Sequence, residues 1–345
     1  MIRRLNRQQV RAAIKFQSPP RPPIAHALTF EKPLIDQYTA ELAKIKSEHP
    51  DDISFHNVHV DYWEGTAVNP KYRWAFGSKR KPLNTAIDCC PVIDRWDELD
   101  EFISEMPSPL DDKPYNEVKK LAADNPDDYV LISFGHYFHQ KFASMRGIEN
   151  LLMDFYDSKQ HLHRLLEAIL GYYQLLAERV AKAGANGIYG GEDLGCQRSL
   201  FMSPGVFREI YKPYYKRLAE ILHSNGLDFW MHTCGNVTEI MPDLIECGID
   251  VLHPIQVGTM DDEQIVKDFS GRICFHVGMD VQSLIPFGTP DEIRKGIRKR
   301  AQVFYRPDGG VIYAAGNVIT AGTPIENIEA YADELFRFVE EKTIV

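Results

Sequence analysis

A histidine and a cysteine two positions apart, His232 and Cys234, form the sharpest chemical feature of the sequence. They follow an apolar run, 228–232, that is typical of a buried strand, and side chains at positions i and i+2 of a strand point to the same side. An imidazole and a thiolate placed in this way can bind one soft tetrahedral ion, and zinc fits best. A histidine and a small apolar cysteine packed at a strand end would give the same pattern.

A zinc site needs at least one more protein ligand. Glu192 ends the preceding predicted strand and is one candidate for this third metal ligand, and His276 is another. Cys274 has the same strand parity as His276 and is expected to lie deeper, in the core. A catalytic zinc keeps one position open, and as a Lewis acid it can draw electron density from an ether or alcohol oxygen and so activate the attached methyl group. The spacing alone fits zinc hydrolysis equally well.

The elements that must position these residues alternate regularly after residue 128. Strands are predicted over 129–135, 187–191, 228–232, 250–253, 273–277 and 310–314, and helices over about 147–156, 159–184, 203–223, 236–247, 261–269, 289–305 and 324–342. Ser203 and Thr289, each followed by proline, are typical helix starts. Alternation of this kind means parallel strands joined by right-handed crossovers. We therefore predict an α/β fold with a single (β/α)8 TIM-type barrel over residues 1–345.

The N-terminal third is less regular. Residues 24–30, after a proline-rich stretch, are predicted as a first strand, and one more strand is predicted near 86–93. Residues 31–128 are interpreted as a cap or insertion within the barrel, with a separate small domain as the alternative. This segment is expected to set substrate choice.

Polar residues follow five consecutive predicted strands, and the active site of a parallel α/β barrel lies at these carboxyl ends. Any one of them has an alternative role as a loop or capping residue, but together they predict one shared site. The predicted catalytic residues are Glu192, Asp193, His276 and Asn317, and the predicted substrate-binding residues are Gln197, His253, Gln256, Asp280 and Gln282.

Charge and hydropathy exclude several classes of function. The 345 residues carry 39 basic and 49 acidic side chains, a net charge of −10, which disfavours binding to nucleic acid or to an anionic membrane. No apolar run approaches the roughly 18 residues of a membrane span, and the basic start is not followed by an apolar signal core. A cytoplasmic protein with reduced cysteines is expected. No dinucleotide, P-loop or serine-hydrolase motif is present.

Several short segments, in order over about residues 130–345, resemble the uroporphyrinogen decarboxylase superfamily. They are Glu-Asp-Leu-Gly-Cys-Gln at 192–197, Ser-Pro at 203–204, His-Thr-Cys-Gly-Asn at 232–236, His-Pro-Ile-Gln at 253–256, Gly-Met-Asp-Val-Gln at 278–282 and Pro-Phe-Gly-Thr-Pro at 286–290. The resemblance implies a single (β/α)8 barrel, in agreement with the alternation of strands and helices.

One branch of this superfamily decarboxylates a tetrapyrrole, uroporphyrinogen, without a cofactor. Its members hold the substrate carboxylates with an arginine-rich segment just after the first strand. Here residues 26–33 read His-Ala-Leu-Thr-Phe-Glu-Lys-Pro, and no arginine occurs between Arg21 and Arg73. This departure disfavours decarboxylation, which is kept as the first alternative, and a non-catalytic binding barrel is the second.

The other branch contains zinc-containing methyltransferases that depend on cobalamin. Thiol-methylating members bind zinc through His-x-Cys and a cysteine on the last strand, and His232 and Cys234 match the first two of these ligands. Asn317 stands where the third is expected, so Glu192 or His276 completes the site or no zinc binds. A carboxylate ligand would suit an oxygen-bearing substrate. The resemblance thus implies methyl transfer between a small methyl ether and a corrinoid protein docked over the strand ends, as in an O-demethylase. A homodimer is left open.

Overall fold

The computed structural model of the protein describes residues 3–25, 30–58 and 92–343. Within these residues, one seven-stranded parallel sheet places each strand beside its successor in the chain. The strands are β1 (Ile53–Asn57), β2 (Tyr129–His136), β3 (Gly187–Gly191), β4 (Asp228–His232), β5 (Val251–His253), β6 (Cys274–Gly278) and β7 (Val311–Ala314). The strands predicted after residue 128 are thereby confirmed, whereas the strand predicted near 86–93 lies almost wholly outside the described residues.

The chain around Ile24 connects the two edges of this sheet. Ile24 forms a parallel bridge with Tyr313 of β7, and the Ala25 N–H donates to the Tyr313 carbonyl at 2.9 Å. On the other side, the Asp52 N–H donates to the Ile24 carbonyl at 2.8 Å, next to the start of β1. The sheet is therefore curled, consistent with the predicted TIM-type barrel. Phe30 likewise bridges Ile319, and residues 26–29 of the predicted first strand lie outside the described residues.

The helices of the described residues are α1 (Arg7–Ile14), α2 (Lys32–Gln37), α3 (Thr39–Glu48), α4 (Leu99–Ser104), α5 (Asn116–Asp124), α6 (His139–Arg146), α7 (Ile148–Asp157), α8 (Lys159–Lys182), α9 (Pro204–Val206), α10 (Lys212–Ser224), α11 (Met241–Cys247), α12 (Asp262–Phe269), α13 (Leu284–Phe287), α14 (Pro290–Phe304) and α15 (Ile325–Glu341). A single π-helical turn, Phe207–Tyr211, joins α9 to α10. The Ser203 hydroxyl accepts from the Val206 N–H, and Thr289 forms a capping box with Glu292, so both predicted helix starts are confirmed.

The two faces of the sheet bury different sets of side chains. One set packs against the surrounding helices, and the other forms a smaller cluster with the buried face of α1. Tyr129, Trp230 and Cys274 belong to this inner cluster and are fully buried, as predicted for Cys274. None of the helices in the described part of the chain is long and apolar enough to cross a membrane.

The segment predicted as a cap contains a strand of the sheet. Residues Ile53–Asn57 were not predicted as a strand, yet they pair with Tyr129–Ser133 in parallel. This part of the segment is therefore built into the sheet, next to α3. For the remainder of 31–128 the cap stays a prediction, and residues 59–91 of it are outside the described residues.

Candidate metal centre

Three side chains beyond the carboxyl ends of β3 and β4 bring a nitrogen, a sulfur and an oxygen together. The ligand atoms of Asp193, His232 and Cys234 all lie within 4.8 Å of one another. The Nε2 atom of His232 is 3.4 Å from Cys234 Sγ and 3.4 Å from Asp193 Oδ1. In a tetrahedral zinc site with bonds of about 2.0–2.3 Å, neighbouring ligand atoms stand roughly 3.3–3.8 Å apart. The two distances that meet at His232 Nε2 therefore match such a site, and three protein donors would leave a fourth position open.

The backbone turns Asp193 towards the other two residues. Asp193 lies two residues after β3 and adopts a left-handed conformation with φ 43°, which aspartate tolerates better than most residues. Its Oδ1 atom accepts a hydrogen bond of 3.0 Å from the Cys234 N–H. The carboxylate is thus placed by its own backbone and by the chain that carries the thiol.

Two glycines allow these chain segments to touch. Gly235 has φ +83°, and a Cβ atom added to it would lie 2.2 Å from the carbonyl carbon of Gly195. Next to this contact, the Asn236 N–H donates to the Cys196 carbonyl at 2.8 Å. The segments that follow β3 and β4 are therefore joined backbone to backbone within a few residues of the three candidate ligands.

Glu192, the predicted third metal ligand, lies elsewhere. Its fully buried carboxylate accepts hydrogen bonds from the N–H groups of Phe138, at 2.5 Å, and Gln140, at 3.1 Å, and from the Tyr215 hydroxyl. Burial raises the pKa of Glu192 to about 7. The carboxylate is held by hydrogen bonds at the amino end of α6. The structure places Asp193, not Glu192, beside His232 and Cys234.

His276, the other candidate for third metal ligand, lies inside the barrel. Its Nε2 atom donates to the Ala25 carbonyl at 3.1 Å, its ring centroid is 4.5 Å from that of His253, and burial lowers its pKa to about 4. His253 in turn contacts His232, with the two Nδ1 atoms 2.8 Å apart. The structure therefore separates His276 from the three donors by the His253 ring.

The charges of the three candidate ligands depend on one another. Burial alone would raise the pKa of Asp193, but its hydrogen bond and charge interaction with His232 hold the pKa down at about 2. Burial likewise lowers the pKa of His232, and its contacts with Asp193 and Cys234 overcome this and raise the pKa to about 9. At neutral pH the carboxylate is therefore ionised and available as a ligand.

A small cavity, partly open to solvent, lies next to the three donors. It is lined by Cys234, Pro254, Gln256, Val257, Gly278, Met279, Asp280, Val281, Gln282, Gly316 and Asn317. It brings together the predicted substrate-binding residues Gln256, Asp280 and Gln282. Predicted Asn317 also lines it, with its Nδ2 atom 3.8 Å from Cys234 Sγ. His253 and exposed Gln197 do not line this cavity.

Tyr189 is a site residue that sequence analysis did not single out. Its hydroxyl lies 2.9 Å from His232 Nδ1 and 3.2 Å from His253 Nδ1. Strand parity could have identified it, since alternate residues of β3 share one face, and Tyr189 lies on the face of the sheet that packs against the inner cluster.

Comparisons with known proteins agree on the family and the fold. The family model for uroporphyrinogen decarboxylase (URO-D) matches residues 118–337. No curated protein matches the chain. Among solved structures, a methyltransferase from Methanosarcina mazei is similar with a TM-score of 0.66 and 16% identity, covering 97% of this chain and 99% of that one. A B12-independent methionine synthase from Shewanella sp. W3-18-1 is similar at 0.47 and 14%, covering 66% and 67%. With well over half of its length matched, the chain belongs to the uroporphyrinogen decarboxylase family.

Proposed function

We propose that this protein is a zinc-dependent methyltransferase that moves a methyl group between a small methyl ether and a corrinoid protein. The observation that carries the proposal is the set of one nitrogen, one sulfur and one oxygen donor, all within 4.8 Å of one another, beside a cavity that Cys234 itself lines. The fold shared with the methyltransferase from Methanosarcina mazei supports the same class of reaction.

The donor set favours an oxygen-bearing substrate. When bound, zinc would supply Lewis-acid polarisation of the ether oxygen. Asp193 contributes a hard carboxylate oxygen where a second thiolate would make the site softer, and harder sites prefer oxygen ligands. The amides of Gln256, Gln282 and Asn317 offer hydrogen bonds that orient a small substrate along the cavity wall. The Gln256 Oε1 atom already accepts from the Gly235 N–H at 2.7 Å, which leaves its NH₂ group for this role.

The cavity argues against the decarboxylase alternative. A substrate with many carboxylates needs cationic side chains to hold it, and buried charges require partners. Among the described residues that line the cavity there is no arginine, lysine or histidine, and Asp280 adds a negative charge. The ends of the strands therefore suit a small neutral substrate better than a polycarboxylate.

Zinc analysis combined with methylation of cob(I)alamin tests the proposal. We expect about one zinc per chain and formation of methylcobalamin with at least one substrate from a panel of methyl ethers, methanol and methylamines. Cys234→Ser and Asp193→Asn should lose both zinc and activity. Cys196→Ser is the matched control, because this thiol lies on the segment after β3 but outside the three donors.

Two results would overturn the proposal. The first is wild-type protein that holds no zinc after preparation without chelators and methylates no corrinoid. The second is turnover of uroporphyrinogen that persists in Cys234→Ser, which would assign the chain to the decarboxylase alternative. Ligand binding without any chemistry, unchanged in both variants, would instead indicate the non-catalytic barrel.

A further inference from the structure

We propose that His253 is a positioning residue that makes His232 present its Nε2 atom to the metal, with Tyr189 closing the contact. The inference rests on the proposed zinc site but concerns residues that do not touch the metal. His253 was predicted to bind substrate, and the structure gives it a different place, beneath His232 and outside the cavity lining.

Three polar atoms meet on the inner side of His232. Its Nδ1 atom is 2.8 Å from His253 Nδ1 and 2.9 Å from the Tyr189 hydroxyl, and that hydroxyl is 3.2 Å from His253 Nδ1. Two N–H groups cannot face each other at 2.8 Å, so one of the two nitrogens carries the proton and the other accepts it.

The outer side of His232 decides which nitrogen is the donor. Its Nε2 atom faces Cys234 Sγ and Asp193 Oδ1, and a nitrogen that binds a metal has no proton. The His232 proton therefore lies on Nδ1, and His253 Nδ1 accepts it. Tyr189 does not alter this assignment, because it can accept from His232 and donate to His253 at the same time. Whether His232 donates to His253 directly or through the Tyr189 hydroxyl, His253 Nδ1 is the acceptor, and the single proton of the His253 ring lies on Nε2.

The surroundings hold the His253 ring in place. His253 is the register partner of His232 in the sheet, and its carbonyl accepts from the Thr233 N–H at 2.8 Å. The ring is buried and packs between Tyr189 and His276, with centroids 5.9 and 4.5 Å away. The acceptor is thus oriented by folding, before any metal arrives.

A neutral imidazole in this position has a chemical consequence. Histidine ligands of metals usually donate their second N–H to a carboxylate, a carbonyl or water, and a carboxylate makes the ligand more basic. His253 fixes the orientation of His232 without adding negative charge. The His232 ligand then remains a weaker donor than it would be beside a carboxylate, which favours Lewis acidity at the site.

Zinc affinity, measured by competition with a chromophoric chelator, tests this role without any activity assay. His253→Leu should weaken zinc binding about 10- to 100-fold, the usual cost of losing an outer partner of a ligand. His253→Gln should recover much of that loss, because its amide oxygen can accept the His232 proton. Tyr189→Phe should have a smaller effect. His163→Gln, a histidine substitution on α8 at the outside of the barrel, is the matched control and should leave the affinity unchanged.

A second measurement uses the zinc-loaded protein. With ¹⁵N-labelled histidine, the ring nitrogens of His253 should show an unprotonated Nδ1 and a protonated Nε2. A proton on His253 Nδ1, or wild-type zinc affinity in folded His253→Leu, would overturn the positioning role. Wild-type protein that binds no zinc would instead overturn the proposed function and the zinc site on which this role rests, whereas wild-type zinc affinity in His253→Leu overturns the positioning role alone.

Discussion

Carboxylates at the two ends of the sheet have opposite surroundings. Before β1, Asp52 is 1% exposed, and its two oxygens accept from both Nη atoms of Arg21 at 2.7 Å and from the N–H groups of Leu5 and Ile24 at 2.7 and 2.8 Å. Beyond β3, Asp193 is only partly buried, accepts from the Cys234 N–H at 3.0 Å and lies 3.4 Å from His232 Nε2.

The difference separates stabilisation from function. At the amino end, Asp52 is fully satisfied and ties the N-terminal segment to the sheet. At the carboxyl end, one imidazole nitrogen stands 3.4 Å from both a sulfur and a carboxylate oxygen, a spacing that neighbouring zinc ligands also show. Variants at the amino end should therefore change the free energy of unfolding, and variants at the carboxyl end should change metal binding.

The largest effect is expected for Asp52→Ala. It leaves the buried Arg21 guanidinium without its partner, which typically costs about 3–5 kcal/mol. Urea unfolding of the metal-free protein should show this loss, while Asp193→Asn should lower stability by less, because its carboxylate is 38% exposed and solvent screens its attraction to His232. Equal losses of unfolding free energy in the two variants would show that Asp52 and Asp193 do not differ in their contribution to stability.

Metal removal should have the next largest effect. A ligand that binds only the folded state adds about 2.7 kcal/mol at a free concentration 100 times its dissociation constant. In the wild type, the unfolding free energy measured in urea with zinc should exceed that measured after treatment with a chelator by this amount. The difference should vanish in Cys234→Ser but persist in Asp52→Ala, because only the former removes a proposed ligand.

His139, the first residue of α6, provides a pH test at the carboxyl end of the sheet. Burial lowers the pKa of His139 to about 4, so the unfolded chain binds this proton more readily than the folded protein. The stabilisation is complete above the ordinary histidine pKa of about 6.5 and is lost as the pH falls from there through about 4. Between these limits, His139→Gln should reduce the slope of the unfolding free energy against pH. The reduction is at most about 1.4 kcal/mol per pH unit, which corresponds to one proton. An unchanged slope would contradict the assignment.

The smallest effect is expected at an exposed ion pair. Lys32 and Asp36 of α2 lie 2.9 Å apart with side chains 83% and 61% exposed, so water and salt screen their attraction. Asp36→Ala should change the unfolding free energy by no more than about 0.5 kcal/mol, within the range of exposed helix pairs. This variant is the control for Asp52→Ala, and a loss of several kcal/mol would show that burial does not separate the two aspartates.

Sequence reasoning predicted the sheet well from β2 onward. These strands are runs of apolar residues bounded by glycine, proline or capping residues, and continuous burial on both faces makes such runs distinct. β1 was missed for a physical reason. The strand has only five residues, three of them polar, and its Phe55 is 41% exposed. Neither its length nor its hydropathy therefore distinguishes it from a loop.

The candidate site was predicted in part. His232 and Cys234 were paired from their spacing, and four residues that line the cavity were named from their positions after the strands, namely Gln256, Asp280, Gln282 and Asn317. The choice between Glu192 and Asp193 depends on the left-handed turn at Asp193 and on the N–H groups of α6 that bind Glu192. Both depend on contacts with distant parts of the chain, which spacing alone does not reveal.

The contact between Gly195 and Gly235 limits how this site can be transplanted. The relative position of the Asp193 and Cys234 side chains is set by two backbones that touch where no Cβ atom fits. Grafting the three ligands onto another barrel without the glycines would reproduce the residue types but not the donor geometry. In a saturation-mutagenesis screen for metal binding, Gly235 should tolerate as few substitutions as the candidate ligands themselves.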